Sequence, residues 1–177
     1  LRGGRRYDGA MDIFGIAGWS GSGKTTLIRA LIPVLSAQGR VVGTIKHSHH
    51  DLSLDPGAAI DGAVETLVAS AQRFSLTGDV PQDEDAKLPY LGSRLAGIDL
   101  LLVEGFKFYH HPRLEVWNST LGKPMLVQDD RRIIATVTDT HRPESLGQST
   151  LWFHRDDVVG IAGFIQKACV SMSAFRH

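Results

Sequence analysis

Gly18-Trp19-Ser20-Gly21-Ser22-Gly23-Lys24-Thr25, preceded by the apolar run Asp12 to Ala17 (DIFGIA), is the stretch whose reading decides the fold. It matches the spacing G-x-x-x-x-G-K-[ST] in full, and each residue type in it has a physical task. Gly21 and Gly23 allow backbone conformations that side chains forbid, so successive N–H groups can turn inward and form a nest for an anion. A helix starting near Lys24 adds the positive end of its dipole to the same spot. Lys24 is placed to neutralise β- and γ-phosphates, Thr25 offers a hydroxyl to Mg²⁺, and Thr26 is within reach of an α-phosphate. Gly18, Ser20 and Ser22 complete the phosphate-binding loop. A glycine-rich turn can match this spacing by accident, but here a strand precedes it and a helix follows, which is the context the chemistry requires.

Outward from the loop, Leu27, Ile28, Leu31 and Leu35 recur at helical spacing over 25–37, with Gly39 as the C-terminal stop and Pro33 as a possible kink. Val41 to Lys46 (VVGTIK) reads as a second strand, which completes a βαβ unit with parallel strands and a right-handed crossover. A further strand is expected over Val64 to Ser70, and a helix over Asp83 to Ala96, with Pro89 inside it. Ile98 to Glu104 (IDLLLVE) is the most apolar strand, of the kind found at the centre of a parallel sheet. Leu114 to Trp117, Ile133 to Val137 and Leu151 to Phe153 read as strands. Asp156 to Val170 reads as a closing helix capped by Asp156 or Asp157. The fold class expected is α/β, a mostly parallel sheet of the P-loop NTPase type flanked by helices in three layers.

The whole is expected to form one domain over 11–177. The basic, Gly-rich residues 1–10 read as a disordered extension upstream of a natural start at Met11. Of the 177 residues, 42% are hydrophobic and 21% charged, an ordinary globular composition. Nineteen basic residues balance nineteen acidic ones, which argues against a protein that coats nucleic acid. No apolar run is long enough to span a bilayer. A lone cysteine, Cys169, points to a reducing, cytoplasmic setting.

Glu104 ends the apolar strand where open α/β sheets bind their ligands, so it reads as the acid that holds Mg²⁺ directly or through water, or serves partly as a base. Gly105 then lets the backbone come close to a γ-phosphate. The competing reading of Glu104 is a surface or capping carboxylate. Lys46-His47-Ser48-His49-His50-Asp51 reads as a metal-binding cluster, as a loop facing the nucleotide, or as a polar surface loop. Asp139, after the strand ending in Thr138, is the candidate for accepting hydrogen bonds from guanine; it reads equally as a loop or cap aspartate. Arg131 and Arg132 could contact phosphates or a partner, but read more readily as solvated surface arginines. Phe106 to His111 (FKFYHH) suggests base stacking but, at zero net charge, is read as a loop closing over a site or interface. No obvious arginine finger and no water-positioning glutamine is apparent.

Taken together, GWSGSGKTTL, TIKHSHHD, VETLVAS, DLLLVEGFK, LEVW and IIATVTD resemble the molybdopterin-guanine dinucleotide biosynthesis protein B (MobB) family, from about Met11 to the C-terminal helix. The resemblance implies GTP binding with Mg²⁺, weak hydrolysis and a homodimer. It also implies an accessory role in molybdenum cofactor synthesis beside the enzyme that attaches GMP to molybdopterin. Carried over by position, Gly18 to Thr25 bind the phosphates and the metal, with Lys24 and Glu104 as the catalytic pair. Glu104 and Gly105 form the acidic strand end, and His47, His49, His50 and Asp51 line the loop facing them, Asp51 as a further metal ligand. The family's longer, Arg-rich helical segment is shortened or replaced here by Leu54 to Gly62. Two other readings of the residues stand beside this one, a small-molecule or nucleoside kinase and a metallochaperone-type GTPase using the histidines.

Overall fold

The computed structural model describes residues 11–47, 65–70, 72–82, 84–106 and 109–175. The extension over 1–10 and the loop residues His49, His50 and Asp51 lie outside them. In chain order the elements are β1 (Asp12–Ala17), α1 (Lys24–Ala37), β2 (Val42–Lys46), β3 (Glu65–Ala69), β4 (Phe74–Gly78), α2 (Glu84–Ser93), β5 (Leu100–Glu104), β6 (Arg113–Trp117), β7 (Ile133–Thr138), β8 (Leu151–His154), α3 (Val158–Ala168) and β9 (Val170–Ser171).

The main sheet has the order β2-β5-β1-β6-β7-β8, and every neighbouring pair along it is parallel. Parallel strands covered on both faces are apolar throughout, and Leu100, Leu101, Leu102 and Val103 of β5 are all fully buried. Alternation along the strand sorts them between two cores. Leu100 and Leu102 join Phe14, Ile16 and the apolar stripes of α1 and α3 on one face. Leu101 and Val103 join Ile13, Met172 and Leu88 of α2 on the other. The result is the three-layer α/β arrangement expected from the sequence.

α1 runs through Pro33 and buries Leu27, Ile28, Leu31 and Leu35. It ends at Ala37 with Gln38 as its C-cap, one residue before the glycine expected to stop it. Gly39 takes a positive φ of 91°, its N–H donates to the Ser36 carbonyl at 3.0 Å, and the Arg40 N–H donates to the Leu35 carbonyl at 3.0 Å. These two bonds satisfy carbonyls that the helix end would otherwise leave open. Arg40 then pairs with Asp12 at 2.5 Å and Asp99 at 3.3 Å, tying together the entry ends of β1 and β5.

Three features differ from the sequence reading. β3 does not enter the main sheet; it pairs antiparallel with β4, a strand the sequence did not reveal. Leu67 and Leu76 of this hairpin are largely exposed, so it lacks the apolar signal of a core strand. The closing helix is shorter than expected, because β9 peels away to lie antiparallel against Asp12 and Ile13. Of the two aspartates expected to cap α3, Asp157 does so, accepting from the Gly160 N–H at 3.0 Å. Finally, Phe106, Tyr109 and His111 do not close over a site or stack on bases. They are buried, Phe106 and Tyr109 in the α2-side core, and the Tyr109 hydroxyl accepts from the Leu88 N–H at 2.7 Å.

His111 is only 1% exposed, and neither ring nitrogen has a hydrogen-bond partner among the described residues. It fits because Gly15 in β1 has no side chain: a Cβ there would lie 2.6 Å from His111 Nε2. Burial, with the positive charges of Arg113 and then Arg132, lowers its pKa from 6.5 to about 3. The folded protein therefore keeps this imidazole neutral while the unfolded chain takes up a proton below about pH 6.5. Its contribution to stability falls as the pH drops through the window from 6.5 to 3, by up to about 1.4 kcal/mol per pH unit. Urea unfolding at pH 7 and pH 5 should show the wild type losing about 2 kcal/mol more than His111→Leu. Equal losses in the two proteins would sink this account.

Candidate functional site

β1 ends at Ala17, and the chain turns back on itself before α1. Gly18 has φ 141°, and a Cβ there would meet the Val116 carbonyl oxygen at 2.4 Å and Ser22 Oγ at 2.7 Å, so only glycine fits. The loop is closed by a bond from the Ser22 N–H to the Trp19 carbonyl, 3.1 Å. Gly23 takes the N-cap position of α1 in the left-handed region, no side chain among the described residues caps the helix, and its first turn holds no acidic residue. The first N–H groups of a helix have no partner within it and carry partial positive charge. Lys24 extends beside them, its ammonium donating to the Gly18 and Trp19 carbonyls at 3.1 and 2.9 Å. The buried hydroxyl of Ser22 has no hydrogen-bond partner among the described residues. A helix start without a capping carboxylate, beside a lysine and an unpartnered hydroxyl, has the chemistry of a phosphate cradle. Ser20 and Thr26 lie exposed at its rim.

Glu104 comes to this cradle through the sheet register, opposite Ile16 of β1 on one side and Lys46 of β2 on the other. The carboxylate is 8% exposed. Its Oε2 accepts from the Thr25 hydroxyl at 3.0 Å. Its Oε1 lies 4.0 Å from Lys24 Nζ and 3.5 Å from Lys46 Nζ. A hydroxyl and a carboxylate side by side beneath a phosphate loop fit the hard-oxygen ligand set of Mg²⁺. Gly105 has φ 97°, and a Cβ on it would come within 2.8 Å of His47 Cβ. The His47 N–H donates to the Glu104 carbonyl at 2.9 Å, and its ring packs on Phe106 with centroids 5.1 Å apart. Of the histidine stretch, the described residues thus bring Lys46 and His47 to the site.

The outer wall is a turn over 118–125. Trp19 donates from its indole to the Pro124 carbonyl at 2.8 Å, Lys123 Nζ lies 5.7 Å from the Trp19 ring centroid, and Trp117 donates to the Lys123 carbonyl at 2.8 Å. Asp139 anchors the start of this turn, with Oδ1 3.4 Å from the Ser119 N–H and 3.5 Å from its hydroxyl. Asp139 therefore stands at the same sheet edge as the loop, linked to it through the turn.

Two cations escaped the sequence reading. Lys46 was seen only as the head of the histidine stretch, although strand pairing sets it against Glu104. Arg155 was not singled out. Its guanidinium lies against Gly23 and is 3.4 Å from the Ser22 carbonyl. A single arginine after a short strand carries no local signal; only the order of the sheet brings it there. Among the described residues no three His, Cys, Asp or Glu side chains gather as a metal-binding group, and no helix is long and apolar enough to cross a membrane.

A parallel sheet of this order, with the glycine-rich loop between its central strand and the first helix, defines a protein of the P-loop α/β class. The family model described as molybdopterin guanine dinucleotide synthesis protein B matches residues 13–139. The molybdopterin-guanine dinucleotide biosynthesis adapter protein of Escherichia coli (strain K12) is 39% identical over 162 residues, covering 86% of this chain and 90% of that protein. The adapter protein of the same name from Haemophilus influenzae is 33% identical, covering 87% of each. A crystal structure of molybdopterin-guanine biosynthesis protein B (MobB) superimposes with a TM-score of 0.66 at 31% identity, over 88% of this chain and 98% of that one. The chain belongs to the molybdopterin guanine dinucleotide synthesis protein B family.

The positive φ and close approach at Gly105 yield a direct test. Gly105→Ala should cost about 1–3 kcal/mol through backbone strain and contact with His47. Thermal unfolding would show it as a lowered Tm; an unchanged Tm would mean the strand end does not hold this geometry.

Proposed function

We propose that this protein is a cytoplasmic, homodimeric adapter in molybdopterin guanine dinucleotide synthesis that binds Mg-GTP on the 18–25 loop and works beside the guanylyl-transferring enzyme. Membership of the family, and the adapter role named for the Escherichia coli and Haemophilus influenzae relatives, support the pathway. The observation that carries the ligand is the start of α1: among the described residues no side chain caps it, its first turn holds no acidic residue, and Lys24 stands beside it.

On this reading the amides of 21–26 and Lys24 hold the phosphates. Thr25 and Glu104 hold Mg²⁺, with Asp51 as a further ligand. The metal ion, when bound, neutralises charge on the β- and γ-phosphate oxygens. Gly105 brings the backbone of the strand end close to the γ-phosphate, and His47, with His49 and His50 further along, faces it. Asp139 accepts from the guanine ring, a bond that adenine cannot offer.

Hydrolysis is slow for a reason of charge. Glu104 is the one carboxylate among the described loop contacts, and it is already engaged by Thr25 and flanked by Lys24 and Lys46. Both of its oxygens are committed, Oε2 to the Thr25 hydroxyl and Oε1 beside the two ammonium groups. Its work is electrostatic and positional.

Calorimetric titration with Mg-GTP and Mg-ATP tests the proposal, with GTP expected to bind more tightly and Asp139→Asn to narrow the difference. Lys24→Ala should weaken Mg-GTP binding on the order of 100-fold, about 3 kcal/mol, with the Tm little changed. Equal affinity for the two nucleotides, or phosphate transferred to an acceptor other than water, would move the assignment to a kinase. Undiminished GTP binding by a folded Lys24→Ala protein would remove the loop from the site.

A further inference from the structure

We infer that Arg155 is a second cationic ligand of the nucleotide, supplied from the far edge of the sheet and gripping the α/β-diphosphate rather than the γ-phosphate. The inference rests on the reading of the 18–25 loop as a nucleotide site.

Its backbone is fixed. The Arg155 N–H donates to the Thr138 carbonyl at 2.8 Å, directly beyond the parallel pair Thr138↔His154, so the residue is held by β7 and β8. Its side chain is half-buried, and its Nη2 has one described contact, the 3.4 Å approach to the Ser22 carbonyl. No carboxylate pairs with it among the described residues. The adjacent acids are engaged elsewhere, Asp156 with His154 at 3.4 Å and Asp157 as the cap of α3. A guanidinium carries five N–H donors in a planar fork suited to phosphate oxygens. One long bond to a carbonyl leaves most of that capacity unused in a place where water is partly excluded.

Position decides which phosphate it meets. Lys24 bends toward the first half of the loop, onto the Gly18 and Trp19 carbonyls, and toward Glu104. Arg155 approaches the second half, at Ser22 and Gly23, with its Nη2 3.6 Å from where a Gly23 Cβ would stand. In such loops the amides cradle the α- and β-phosphates while the lysine reaches the β and γ. The two cations therefore divide the chain of phosphates between them. Thr138, which holds the Arg155 backbone, also precedes Asp139, so one strand end would present a phosphate clamp and a base reader together.

The test is titration of wild type, Arg155→Ala and Arg155→Lys with Mg-GTP, Mg-GDP and inorganic pyrophosphate, with circular dichroism to verify folding. Arg155→Ala should weaken GTP, GDP and pyrophosphate by a similar factor, on the order of 10-fold. Arg155→Lys should recover only part of this, because an ammonium cannot make the bidentate contact. Unchanged affinities would overturn the inference. So would a loss confined to GTP, which would place the guanidinium at the γ-phosphate. A loss for both nucleotides with pyrophosphate unaffected would also overturn it, by placing the contact at the base or ribose. Wild-type protein that fails to bind GTP would overturn the reading beneath it, and the inference with it.

Discussion

The parallel register between β5 and its neighbours, with Glu104 opposite both Ile16 and Lys46, is the constraint on which the site depends. Side chains alternate between the faces of a strand, so a slip of one residue would turn Glu104 away from the loop and bring a polar group into the apolar core. Packing prevents the slip. Leu100 to Val103 are sorted residue by residue between two cores, and either displacement would expose one set and bury the wrong one. The Arg40 bridges to Asp12 and Asp99 hold the same register at the other end of the strands. What places a carboxylate beneath Thr25 is thus hydrophobic sorting, reinforced by one arginine.

Around that carboxylate the charge is lopsided. Lys24 and Lys46 flank Glu104, Arg155 stands on the other side of the loop, and the open end of α1 adds its partial charge. The balance among the described groups is positive, although the whole chain is formally neutral. Such a field is suited to a polyanion. The wall over 118–125 is built differently, from indole hydrogen bonds and a lysine over the Trp19 ring, and it joins the loop to the turn that Asp139 anchors.

The face of the sheet away from α1 and α3 is covered by α2 only on its β5 side. Over β6 and β7 the cover includes the short 3-10 turn Leu126–Gln128, and Arg113, Glu115, Thr136 and Thr138 are buried polar residues of these two strands. Glu115, fully buried, accepts from the Leu126 and Val127 N–H groups at 2.7 and 3.0 Å. Burial raises its pKa, and those two hydrogen bonds oppose the shift. Asp130 pairs with Arg132 at 2.7 Å, and Arg113 is buried beside them. Leu126 and Val127 open a short 3-10 turn (Leu126–Gln128), whose first N–H groups have no partner within it, and the buried carboxylate supplies one.

Most of the fold was legible because its signals are local. Helical spacing in α1, the unbroken apolar run of β5 and the spacing from Gly18 to Thr25 each lie within a few consecutive residues. The chemistry of the loop therefore follows from sequence alone: glycines for left-handed turns, a lysine, a hydroxyl, and a helix start left uncapped. The hairpin of β3 and β4, the short β9, the burial of His111 against Gly15 and the arrival of Lys46 and Arg155 were not legible. Each depends on which distant segment becomes a neighbour. That choice belongs to the order of strands, which is settled by packing two cores at once, and no single stretch of the chain encodes it.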